Sequence, residues 1–170
     1  TFVNGLAPSS YTFFDNQQIK VFDKFNDEFI WIPACGATAG LIAKSDRDTA
    51  PWFSPAGTTR GVYNNVVALA YNPTKLQRDT LYKAGINPIT NLPGQGVTLW
   101  GDKTLLRRPS AFDRINVRRL FITLERAIGR AARNVLFELN DEFTRAEFVN
   151  IVEPVLRDVK GRRGITDFRV

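Results

Sequence analysis

Arg114 to Asn134 reads RINVRRLFITLERAIGRAARN, and no other stretch of the chain states its conformation so plainly. Val117, Leu120, Phe121, Leu124, Ala127, Ile128, Ala131 and Val135 return at steps of three and four residues. At about 100° per residue they fall on one stripe, so the spacing predicts an amphipathic helix. Leu120, Leu124 and Ile128 centre that stripe and are expected to be almost fully buried. Arg119, Arg126, Arg130 and Arg133 lie within roughly 60° of one another on the opposite side of the wheel. The helix has one face to bury and one concentrated basic face. Two readings of the basic face stay open: a solvated surface, or a surface that meets a partner.

Downstream of this helix, Thr144 and Glu147 have the spacing of a capping box and open a second helix. Phe148, Val152, Val155 and Val159 give it an apolar face, and Gly161 stops it. Pro154 lies inside it, where proline removes a backbone donor, so a kink or break is expected near Val152. Ile165, Thr166, Asp167, Phe168, Arg169 and Val170 then alternate apolar and polar, as a half-buried strand does.

Upstream, Ile19 to Phe22 and Glu28 to Ile32 flank Asn26-Asp27 and read as a β-hairpin that ends at Pro33. Ala34 to Ala43 is small and apolar, a tightly packed helix. Gly36 and Gly40 there are not followed by Gly-Lys-Ser/Thr, so no phosphate loop is indicated. Thr49 to Gly61, TAPWFSPAGTTRG, is an ordered loop in which Trp52 and Phe53 are expected to pack inward. Asn72-Pro73 suits a helix start, with a stop at Gly85. Asn87 to Gly96 reads as a loop and Val97 to Trp100 as a short strand. The element order implies an α/β (α+β) arrangement: a small mixed sheet packed with several helices, at least one of its edges open.

The composition, 44% apolar and 24% charged, is that of a folded chain. No segment approaches the roughly 20 apolar residues of a membrane span, and no secretion leader is visible. The sequence has no His, and its one Cys is Cys35. Ser54, Ser110 and Cys35 therefore lack the usual activating base, and the usual zinc donor set is missing. The acidic pairs Asp46/Asp48 and Asp141/Glu142 lie in polar surroundings and read as solvated surface. No catalytic residue, cofactor or metal site is expected. Net charge is +6, and from Leu106 onward 13 of the 14 basic residues are Arg. Arginine suits planar, multi-donor contacts to carboxylate or phosphate. A basic nucleic-acid-binding module is thus one alternative. Against it, Glu125, Glu138, Asp141 and Glu142 are interspersed, and aromatics do not interleave with the basic residues.

Six stretches together resemble one family. DKFNDEFIWIP (Asp23 to Pro33), PWFSPAGTTRG (Pro51 to Gly61), RDTLYKAGINPIT (Arg78 to Thr90), LWGDKT (Leu99 to Thr104), SAFDRINVRRLF (Ser110 to Phe121) and LFELND (Leu136 to Asp141) are similar, in order and spacing, to the C-terminal conserved region of contractile tail sheath proteins of myovirus-type bacteriophages. The resemblance implies a structural subunit, not an enzyme. Such subunits polymerise as stacked rings or a multi-start helix around a tail tube and contract to drive the tube through the host envelope. It implies as partners other copies of the sheath protein, the tail tube protein, and baseplate and tail terminator proteins. No small-molecule substrate or membrane insertion is implied. It implies a place in the virion tail, after assembly in the host bacterial cytoplasm. Residues 1–170 are expected to form part of a single conserved sheath domain of a longer chain, with upstream domains and a C-terminal arm absent. Ile165 to Val170 would be an edge strand for strand addition by neighbours. Arg119, Arg126, Arg130 and Arg133 would face the tube or a neighbouring subunit. Pro154 departs from the family pattern.

Overall fold

Gln18–Asp23 and Glu28–Pro33 form the expected hairpin, strands β1 and β2, in the computed structural model, which describes residues 2–170. The turn is held by the Asp23 carboxylate, which accepts from the Phe25 N–H (2.9 Å) and the Asn26 side-chain amide (2.7 Å). Pairing Ile19 with Ile32 and Lys20 with Trp31 puts Ile19, Val21 and Ile32 on the core face. Lys20, Phe22, Phe29 and Trp31 take the other face. A third antiparallel strand, β3 (Val66–Leu69), pairs with β1 across a register shift at Lys20/Val21, giving the order β2-β1-β3. No described strand pairs with the outer edge of β2.

A one-turn helix, α1 (Phe2–Gly5), precedes the hairpin, and Pro33 ends β2 directly before α2 (Ala34–Asp48), a helix longer than its small-residue start predicts. Its Ala34, Ala37 and Leu41 cover the core face of the sheet. Thr74 caps α3 (Lys75–Lys83) in a complete capping box with Gln77. The predicted cap, Asn72, has other work: its side chain accepts from the Asn91 N–H and the Thr90 hydroxyl, both at 2.9 Å, and donates to the Asn91 carbonyl. Gly85, at φ 78°, follows the helix as expected. Asn87 to Gly96 is not all loop. It contains β4 (Ile89–Leu92), which pairs with β5 (Gly96–Leu99) in a second antiparallel sheet. Ile89, Val97 and Leu99 join Ile19, Ala34, Leu41 and Tyr63 in one core. The architecture is the expected layered α/β (α+β) arrangement, its strands shared between two small sheets.

The predicted long helix is α4 (Ile115–Ala132), continued by a 3-10 turn at Arg133–Val135. The last helix, α5 (Glu142–Gly161), departs from expectation twice. It starts earlier, with Asp141 as N-cap accepting from the Thr144 N–H at 2.8 Å. It also runs on through Pro154, with no break at Val152. Val152, Leu156 and Val159 are buried on its apolar face, and such packing offsets the backbone bond that Pro154 removes. Residues 165–170 are not a strand. Alternation prepares a face but supplies no hydrogen-bond partner, and none of the described strands pairs with this segment. The Lys160 ammonium instead holds Asp167 at 3.0 Å. The chain divides into two compact units, Thr1–Arg118 and Arg119–Val170.

The loop Thr49 to Gly61 is ordered as expected. Trp52 is buried, and Phe53 is half-buried beneath the Arg60 guanidinium. The loop is tied to β5 by two backbone bonds, Gly57 N–H to Leu99 O (2.9 Å) and Leu99 N–H to Gly61 O (2.8 Å), and closed on itself by a third, Gly61 N–H to Gly57 O (2.7 Å). A methyl group on Gly61 would stand 2.6 Å from Gly57 O and 2.9 Å from Leu99 O, both backbone atoms that cannot move aside. Gly61→Ala should therefore cost about 1–3 kcal/mol or more in a urea melt.

One carboxylate in the first unit is poorly compensated. Asp15 is largely buried with no hydrogen bond of good geometry to either oxygen, and the neighbouring Thr38 hydroxyl is engaged with Tyr63 at 2.7 Å. Burial pushes its pKa from 3.8 up to about 6, and Thr38 offsets this only in part. The folded state thus favours the protonated carboxyl. Its contribution is fully present below pH 3.8 and is lost as pH rises through about 6. Asp15→Asn should remove that pH dependence and raise stability at pH 7 by on the order of 2 kcal/mol, read from denaturant melts at pH 4 and pH 7.

Candidate functional site

The first turn of α4 is held by polar contacts within the first unit. The Asp102 carboxylate accepts from Arg114 (2.7 Å), from the Ser54 hydroxyl (3.0 Å) and from the Tyr82 hydroxyl (3.2 Å). Arg114 also donates to the Tyr82 hydroxyl. The Asp102 carbonyl accepts from the Ile115 N–H at 2.8 Å, so the helix begins on this cluster. Asp102 holds the Arg114 guanidinium above its ordinary pKa. Burial and the Asp102 charge push the Tyr82 phenol up. Nothing in the spacing of Asp102, Arg114 and Tyr82 announces an ion pair. They lie within the family-like motifs, and only the folded loops bring them together.

Along α4 the apolar stripe is buried at Ile115, Leu120 and Leu124. Ile128 is only half-buried, and Phe121 is 40% exposed. The four predicted arginines do not form one equivalent row. Arg126 and Arg130 are exposed on α4, and Arg133 is exposed in the 3-10 turn that follows. These three line one surface with Glu125 and Gly129 and make no ion pair among the described residues. Arg119 is different: its terminal nitrogens are shielded from solvent, and burial lowers its pKa to about 10. A helical wheel places Arg119 with the others but does not register which of its positions the fold buries.

Two surfaces escaped the sequence reading. One is the outer face of the three-stranded sheet, where Phe29 and Trp31 stay about half exposed and Lys20 lies over both rings at 5.5 and 5.9 Å. The other is the link between α4 and α5. Leu136 and Leu139 there, and Phe143 in the first turn of α5, are more than half exposed, and Phe137 is fully exposed at 104%. Phe137 also has φ 69°, a strained value for a bulky residue. Apolar residues in a link too short for a helix were the available signal. Among the described residues no helix is long and apolar enough to cross a membrane, and no acidic, Cys or His cluster is arranged to hold a metal.

Replacing Arg114 by Ala leaves Asp102 and Tyr82 without their cation. The expected loss is about 1.5–3 kcal/mol for a charged hydrogen bond, measured by denaturant unfolding. Lys at the same position should recover only part of it, since one ammonium does not reproduce the guanidinium fork.

The phage tail sheath protein central domain matches residues 8–105, and the phage tail sheath C-terminal domain matches residues 107–170. The tail sheath protein of Vibrio phage KVP40 is 46% identical over 162 residues, 95% of this chain and 24% of that protein. The tail sheath protein of Enterobacteria phage T4 is 44% identical over 162 residues, 95% of this chain and 25% of that protein. The chain spans about a quarter of the length of these curated relatives. Among solved structures, the helical sheath of the anti-feeding prophage in its contracted state superposes with a TM-score of 0.79 at 27% identity, over 94% of this chain and 44% of that one. These matches lend no support to the nucleic-acid-binding alternative. With both sheath domains matched along its length, the chain belongs to the phage tail sheath protein family.

Proposed function

We propose that the chain is part of a structural subunit of a contractile tail sheath. The subunit polymerises around a tail tube and shortens to drive the tube through the host envelope during genome delivery. The observation that carries this reading is the 46% identity with a tail sheath protein over 162 residues. The chain serves as a structural part rather than as an enzyme, and its residues 1–170 belong to a single sheath domain of a longer chain. Its partners are other copies of itself, the tube, and baseplate and terminator proteins. It resides in the virion tail after assembly in the host bacterial cytoplasm. Contraction uses conformational energy released as subunits rotate about their contacts.

Two surfaces of the chain take named parts in this assembly. Arg126, Arg130 and Arg133 face an acidic partner, the tube or a neighbouring subunit, and the shielded Arg119 takes no part in that surface. Contacts of this kind set register and association rate more than affinity. Ile165 to Val170 form no strand within the chain, which suits a segment that pairs with a neighbour. The unpaired outer edge of β2 suits the accepting role.

Electron microscopy of the full-length protein mixed with tail tubes tests both statements. The unaltered protein should coat the tubes in a helical sheath that can shorten. Arg126→Glu with Arg133→Glu should cut the sheathed fraction at least about tenfold at physiological salt. Dispersed monomers from the unaltered protein would remove the sheath reading. Normal sheathing by the variant would remove the role of the Arg face alone.

A further inference from the structure

Leu136 to Phe143 reads LFELNDEF and combines exposed apolar side chains with acidic ones. Phe137 stands wholly in solvent on a strained backbone, and Leu139 and Phe143 are each 78% exposed. The far end of the segment is fixed, because Asp141 caps α5. Glu138 and Glu142 are exposed and make no ion pair among the described residues. The segment is a held, projecting apolar knob with negative charge on it.

The same unit carries a hollow of matching character. Ala127, Ile128 and Ala131 of α4, with Ile151 and Val155 of α5, wall an open groove of about 250 Å³, and Arg130 stands at its rim. Ile151 and Val155 are more than a third exposed, which leaves apolar surface uncovered. Beside the groove, Glu125, Arg126, Arg130 and Arg133 form a surface that is net positive. Phe137 does not fill this groove in its own chain, since its ring is entirely exposed.

We propose that Leu136 to Phe143 of one subunit docks into the α4/α5 groove of a second copy. Phe137 is the apolar anchor in the groove, and Glu138 and Glu142 meet Arg130 and its neighbours Arg126 and Arg133. The inference rests on the proposed partner-facing role of the Arg surface and names that partner as another sheath subunit rather than the tube. A desolvated aromatic anchor with a charged rim is the usual anatomy of a strong contact. Steering by opposite charges sets its register. Knob and groove are different patches of one surface, so in a sheath the contact can run head-to-tail from copy to copy, into a ring if the rotation closes and into a helix if it does not. The strain at Phe137 is stored where the contact needs a side chain held outward.

The test uses full-length Arg130→Glu and Glu138→Arg proteins, each alone and mixed in equal amounts, assembled with tail tubes and viewed by electron microscopy. Each variant alone should need at least about tenfold more protein than the unaltered chain to form sheath. In the mixture every groove finds a segment of opposite charge if the two variants alternate, so assembly should return. Full assembly by either variant alone would overturn the proposal. So would failure of the mixture, which would instead fit an Arg130 contact with the tube. A control without sheath from the unaltered protein would count against the broader sheath reading, and the docking contact would fall with it. Phe137→Asn separates contact from fold: Asn tolerates positive φ, so the melting temperature should hold or rise while assembly falls at least about tenfold. Unchanged assembly by this variant would remove Phe137 as the anchor and overturn the proposal.

Discussion

The Asp102 carboxylate is the contact on which the arrangement of the first unit turns. It gathers Arg114, Tyr82 and Ser54, which lie far apart in sequence, while its own carbonyl receives the first amide of α4. A partly buried carboxylate that accepts from three donors fixes the guanidinium and both hydroxyls in one arrangement. The helix is thereby started at a defined residue, after a stretch with little regular structure.

Polar side chains elsewhere in the unit substitute for strands. The Asn87 side chain is fully buried, and it donates to the Lys103 carbonyl and accepts from the Lys103 N–H, as a paired strand residue would. Asn72 does the same for Asn91. The Gln17 amide donates to the Ile89 carbonyl at 2.7 Å. A chain with four- to six-residue strands leaves many backbone groups unpaired, and buried ones must find partners. These side chains allow a small core centred on Ile19, Ile89 and Leu99 to close among long loops. The result suits a subunit proposed to move as a body, since the loops are tied down rather than free.

The surfaces left over have a common logic. Exposed aromatics on the sheet, the unpaired edge of β2, the projecting Phe137 and the free arginines are each costly or wasteful in an isolated chain. In the proposed sheath they are the surfaces that other chains cover. A polymer held by several separate kinds of contact can exchange some of them and keep others as its subunits move between arrangements.

The amino-acid order by itself determined the elements whose signal is local. The α4 stripe, the β1–β2 hairpin around Asn26-Asp27, the stop at Gly85 and the rigid Trp52 loop all rest on spacing and turn chemistry within a few residues. The six family-like stretches also disclosed the family, because their order spans nearly the whole chain. Tertiary structure decided whatever depends on a distant neighbour. Packing along α5 carried that helix through Pro154, and the second sheet drew Asn72 away from capping α3. Burial set Arg119 apart from Arg126, Arg130 and Arg133, although the helical wheel groups all four. The alternation of Ile165 to Val170 yielded no strand, because a strand exists only when another strand offers its hydrogen bonds. Periodicity is a property of one segment, whereas burial and pairing belong to two, and only the fold brings the second into reach.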